Sequence, residues 1–108
     1  MSHFDFTEND EGNAFDSPIT DKNGPIVLND VLDSVDFRYW FDGDEGAARV
    51  RTAVIVQEDP AIVRYVNQVG DLNANGVLWG QWELDIVSLG QKLTTFPVRY
   101  DIAPLVGP

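Results

Sequence analysis

The chain has no cysteine, a single histidine, and only seven basic residues against eighteen acidic ones. Each scarcity closes a class of chemistry. Without cysteine there is no disulfide framework and no thiolate, so Cys–His dyads are excluded and the redox compartment stays open. The lone histidine, His3, stands near the amino terminus, where a solvated residue is the ordinary reading. A Ser–His–Asp constellation has nothing else to draw on. No apolar run approaches the roughly 20 residues of a membrane span. The opening, Met1-Ser2-His3-Phe4-Asp5, lacks the basic-then-apolar profile of a signal peptide. No glycine-rich phosphate loop follows a strand pattern. The expectation is a soluble chain made in the cytoplasm, with no catalysis, no cofactor and no membrane partner.

The charge is uneven as well as large. Residues 1–46 carry twelve acidic side chains against Lys22 and Arg38, and residues 47–108 carry six against five basic ones. A net charge of −11 repels nucleic-acid backbones, so direct DNA or RNA binding is not expected. A solvated surface explains an acidic half in the simplest way. The sharper alternatives are a patch for a basic partner or an acidic mimic of DNA that inhibits a nucleic-acid enzyme.

Strand patterns fill what remains, and 108 residues suffice for one domain. Phe4 to Thr7 alternates. Ala14 to Thr20 reads as a strand that Pro18 confines to an edge or a bulge. Asp21-Lys22-Asn23-Gly24 is turn chemistry, followed by a short extended Pro25 to Leu28 and an aspartate-rich loop. Ser34 to Phe41 puts Val35, Phe37, Tyr39 and Phe41 on one face, with Asp36, Arg38 and Trp40 on the other. After a polar tip at Asp42-Gly43-Asp44-Glu45-Gly46, Ala48 to Gln57 returns. Its alternation predicts Val50, Thr52, Val54 and Val56 inward, with Arg49, Arg51 and Gln57 wet. Asp59-Pro60 turns the chain into Ile62 to Val66. Val77 to Val87 sets Leu78, Gly80, Trp82, Leu84 and Ile86 on one face and Gln81, Glu83 and Asp85 on the other. Ser88 to Gln91 supplies a turn, Lys92 to Phe96 runs back until Pro97 ends the ladder, and Tyr100 to Val106 closes the domain. About eight strands with turn signals roughly every ten residues predict an immunoglobulin-like antiparallel β-sandwich over residues 14–108. Residues 1–13 form an acidic amino-terminal segment, a strand or an arm. Trp82, Leu84, Ile86, Phe37, Tyr39 and Val54 are the expected core.

Two features invite a binding function. Asp71-Leu72-Asn73-Ala74-Asn75-Gly76 matches the first half of a calcium loop, with Asp71, Asn73 and Asn75 as its ligands. Calcium needs a bidentate Glu at loop position twelve, where Trp82 stands. A tight turn, with Asp71 accepting backbone N–H bonds and Gly76 at positive φ, explains the residues as well. A looser site pairing Asp42 and Asp44 with a neighbouring loop is equally unsupported by a full ligand set. The second feature is tryptophan. Trp82 belongs with the core, whereas Trp40 and Trp79 fall on the polar registers. An outward Trp calls for a cover, either another chain or the amino-terminal segment. Trp40, Trp79, Asp42, Asp44 and Glu45 are therefore the interface candidates, and exposed rings also suit sugar faces.

The order of short motifs resembles a known family. Asp21-x-x-Gly24-Pro-Ile-x-Leu28 is followed by Val35-x-Phe37 and Val63-x-Tyr65. Then come Gly70-Asp71-Leu72, Gly76, Trp82-Glu83-Leu84, and finally Gly90-x-x-x-Thr94-Thr95-Phe96-Pro97. This resembles the small immunoglobulin-like domain at the amino terminus of phage baseplate upper proteins and in short phage tail proteins, over residues 14–106. The acidic stretch Glu8 to Asp16 departs from that pattern. The resemblance implies a virion structural protein of tail, baseplate, neck or head decoration. Family members typically continue into a receptor-binding or shaft region, whereas this sequence stops at Pro108, so a stand-alone subunit is the expectation. Its partners would be other virion proteins and copies of itself. A carbohydrate-binding module of a host-recognition apparatus is the alternative.

Overall fold

Two strands with strict alternation form the spine of the molecule, whose computed structural model describes residues 4–105. They are β5 (Ser34–Phe41) and β9 (Gly76–Ile86), antiparallel neighbours in register from Ser34 opposite Asp85 to Phe41 opposite Leu78. On β9's other side lie β10 (Gln91–Thr94) and β11 (Val98–Ala103), which pair with successive stretches of the same strand. A short β1 (Phe6–Thr7) adds to β11 in parallel, and β6 (Arg49–Thr52) closes the far edge of this larger sheet. The smaller sheet runs β2 (Ala14–Pro18), β8 (Ala61–Val66), β7 (Val54–Glu58). A hairpin of β3 (Thr20–Asp21) and β4 (Gly24–Pro25) stands apart.

The fold is all-β and sandwich-like. Its strand order, β2-β8-β7 against β11-β9-β5-β6, follows the B-E-D and G-F-C-C′ arrangement of immunoglobulin variable-type domains. The described residues form eleven strands, several of them only two residues long, and two of the expected segments, Ala48–Gln57 and Ala14–Thr20, are each divided. One break falls at Ala53, where the chain crosses from β6 in one sheet to β7 in the other. The second falls at Ile19, between β2 and β3, while the gap at residues 95–97 separates β10 from β11 as the Pro97 reading expects. Pro18 ends β2, an edge strand, as its missing donor requires.

With no disulfide available, aromatic rings fill the centre. Phe37 packs on Trp82 at 4.6 Å between centroids, on Tyr65 at 5.3 Å and on Phe15 at 5.2 Å. Phe6 of β1 packs on Phe15 at 4.6 Å, which ties the amino-terminal segment to the sandwich. Leu78, Trp82, Leu84 and Ile86 are buried with Val35, Phe37 and Tyr39, as alternation predicts. Gly80 belongs to the same inner row. A Cβ there would lie 2.5 Å from Phe37 Cζ, so the ring packs directly on backbone.

One strand is reversed. Val50, Val54 and Val56 are 51, 55 and 44% exposed, Thr52 is exposed, and Val54 is not part of the core, whereas Gln57 is exposed as expected. The physical reason lies at the inner edge of β6. Arg51 turns inward toward Asp71, and Arg49 donates to the Gly70 carbonyl at 2.8 Å. Ala53, buried at the crossover, keeps the odd-numbered positions inward as the chain changes sheets, and the register shifts only between Ile55 and Gln57. His3 and Val106 lie outside the described residues.

Candidate functional site

The outer face of the spine carries the second pair of large aromatics. Trp40 and Trp79 are direct cross-strand partners there, which brings two indoles together without any long-range loop. Trp79 is oriented by its indole N–H, which donates to Asp42 Oδ1 at 3.0 Å. Trp40 is only 9% exposed, and part of its cover comes from its own strand. The Arg38 guanidinium lies 5.1 Å above the ring and reaches Glu45 at 4.0 Å. Glu45 opens a short 3-10 turn, Glu45–Ala47, beside it, and Asp44 precedes that turn as an exposed residue.

Phe96 completes the site. It is 92% exposed, yet the chain beside it is held firmly by Thr95. The Thr95 amide donates to the Trp82 carbonyl at 2.9 Å, its Oγ1 accepts from the Trp82 amide at 3.0 Å, and its carbonyl accepts from Gln81 at 2.9 Å. An aromatic ring is thus presented to solvent from a fixed backbone. Trp40, Trp79, Phe96 and Pro97 with Asp42 and Glu45 line an open cleft of about 780 Å³. Among the described residues no basic side chain lines it, so its chemistry is stacking surface plus carboxylate acceptors. Of the interface candidates, Trp40, Trp79, Asp42 and Glu45 line this cleft and Asp44 does not; Phe96 and Arg38 were not among the candidates. Phe96 sits in the one segment where alternation stops, and that interruption was the available signal.

The calcium-loop residues do not converge. Asp71 is buried and faces the core, where it accepts hydrogen bonds from the hydroxyls of Tyr39 and Tyr65 and from the Gln68 amide at 2.7 Å. Arg51 Nε stands 3.4 Å away. Asn73 is exposed, and Asn75 donates to Glu8 at 3.2 Å. Burial alone would raise the Asp71 carboxyl, but the Gln68 N–H, the two hydroxyls and the Arg51 charge outweigh it and hold it below the usual aspartate range. Burial and the Asp71 carboxylate push both tyrosines up. The turn reading therefore describes the loop, with Gly76 at φ +112°. Among the described residues no cluster of three acidic or histidine side chains is arranged to hold a metal ion.

A second buried carboxylate, Asp33, pins the other end of the sandwich. It accepts from the Ser88 amide at 2.8 Å, the Ser88 hydroxyl at 2.7 Å and the Asn29 amide at 2.7 Å. Burial opposes ionisation there too, and these bonds from Ser88 and Asn29 overcome it to hold the carboxyl low.

Compared with models of protein families, with curated proteins and with solved structures, the chain finds no match.

Proposed function

We propose that the chain is a structural subunit of a phage virion that does no catalysis and assembles by adhesion through the outer face of its larger sheet. The carrying observation is the Trp40–Trp79 pair on the solvent side, extended by Phe96 into one cleft. Large aromatics are the residues that anchor protein interfaces, and a rigid exposed ring loses little freedom on docking. The carboxylates Asp42 and Glu45 on the rim set orientation. The phage particle itself is supported by the resemblance carried by the residue motifs, with the chain made in the host cytoplasm and built into tail, baseplate, neck or head.

Mass spectrometry of washed particles, with a copy-number estimate, tests this reading. The chain should be present at a fixed multiple set by particle symmetry, and its absence overturns the proposal. The same cleft favours one other reading, a glycan stacked on its rings and hydrogen-bonded to its carboxylates. A glycan array separates the two. Specific binding abolished by Trp79→Ala would replace adhesion between proteins with sugar recognition.

A further inference from the structure

The chain has only two lysines, Lys22 and Lys92, seventy positions apart in the sequence, and both line one slot. The slot, about 640 Å³, opens between the free edges of β2 and β10, on the side of the sandwich that the Ala53 crossover does not close. Among the described residues neither lysine joins an ion pair, whereas Arg38, Arg51, Arg64 and Arg99 each do. Phe96 is a wall of this slot and also of the aromatic cleft. One continuous surface therefore reads carboxylates, tryptophans, a projecting phenyl ring, then two ammonium groups with the single carboxylate of Asp21 beside them, a net positive end.

Such a surface is complementary to itself. A two-fold axis between Phe96 and the Trp40–Trp79 pair would set each copy's positive end against the other's negative end and each phenyl ring against the other's tryptophans. We infer that this surface binds a second copy of the chain as an isologous dimer. Phe96 of each protomer enters the partner's Trp40–Trp79 cleft, and Lys22 and Lys92 face the partner's Asp42 and Glu45. The inference rests on the assembly reading, since it uses the same cleft.

Charge selects this occupant over others. Copies carrying a net −11 repel at long range, so contact needs a local patch holding both signs, and the lysine slot beside the acidic cleft is such a patch. A basic partner would leave the lysines opposed, an acidic one would leave the carboxylates opposed, and a neutral glycan would leave the lysines idle. Pro18 and Lys92 guard the two sheet edges against an added strand, so the slot receives side chains.

Sedimentation velocity over a concentration series decides it. The wild-type chain should form a dimer. The variants K22E/K92E and D42K/E45K should each dimerise about 100-fold more weakly, because like charges then face each other. Mixed in equal amounts they should recover the dimer, since each supplies the sign its partner lacks. A wild type that stays monomeric, variants that dimerise as well as wild type, or a mixture that fails to recover would each overturn the inference. If a charge variant melts early, Phe96→Ala decides instead: it should be monomeric at an unchanged melting temperature, and an unimpaired dimer would overturn the proposal. A monomer found in particles sinks the dimer alone, and a dimer absent from particles sinks the assembly reading alone.

Discussion

Two cross-strand pairs on the same two strands, Phe37 with Trp82 inside and Trp40 with Trp79 outside, put large aromatics to opposite uses. Inside, the Trp82 ring is 1% exposed, and among the described residues no acceptor meets its indole N–H. Outside, the Trp79 N–H is satisfied by Asp42 and part of its ring remains in solvent. The difference teaches that period-two alternation sorts side chains by face and not by type. The inner indole contributes packing, and the outer one contributes an oriented surface.

The largest expected effect breaks the inner half. Trp82→Ala should lower unfolding free energy by roughly 3–5 kcal/mol in a urea titration, through lost transfer energy plus a cavity beside Phe37. A loss below about 1 kcal/mol would place the ring outside the core and dissolve the contrast with Trp79.

Asp71 anchors the inner face at its rim, and Asp71→Asn should cost roughly 3 kcal/mol because it leaves Arg51 and the two tyrosine hydroxyls poorly matched. Its pH dependence has a definite sign. The folded carboxyls of Asp71 and Asp33 lie below the unfolded value near 3.9, so their stabilisation is present above that value and is lost as pH falls through the folded values. Burial and the charges of Asp5 and Asp16 push Tyr100 up to about 12 in the fold, while Tyr39 and Tyr65 are also raised. That contribution is complete below pH ~10, the unfolded value, and fades as pH rises toward the folded ones. Denaturant midpoints should therefore fall below pH ~4 and above pH ~10, and Asp71→Asn should flatten the acid limb. An unchanged acid limb in that variant would assign the pH sensitivity elsewhere.

Gly80→Ala is a smaller perturbation of the same inner row. The added methyl meets Phe37 and Tyr100, and the cost should be about 1–3 kcal/mol by overpacking, read from a shifted denaturant midpoint. A neutral result would show that Phe37 can yield, and hence that the inner pair is less rigid than its packing implies.

How far the sequence carried this contrast follows from where alternation persists. In β5 and β9 the inner and outer rows stay in phase across eight and eleven residues, so both pairs were legible. Between Arg49 and Glu58 the alternation is equally regular but points the wrong way. The edge arginines turn toward a carboxylate whose burial no local pattern announces, and a single alanine then moves the chain to the other sheet. The lysine slot was illegible for a different reason: Lys22 and Lys92 meet only because β2 and β10 end at the same open seam. Phe96 fell between them, in a break read as the end of a strand.

The outer half rests on its most exposed indole. Trp79→Ala should change unfolding free energy by less than about 1 kcal/mol, because the ring is partly solvated, while removing the aromatic floor of the cleft. The decisive measurement is incorporation of Trp79→Ala into particles, scored beside its melting curve. The account predicts strongly reduced incorporation at a nearly unchanged melting temperature. Normal incorporation, or a large drop in melting temperature, would contradict the division between an inner face that folds the chain and an outer face that joins it to others.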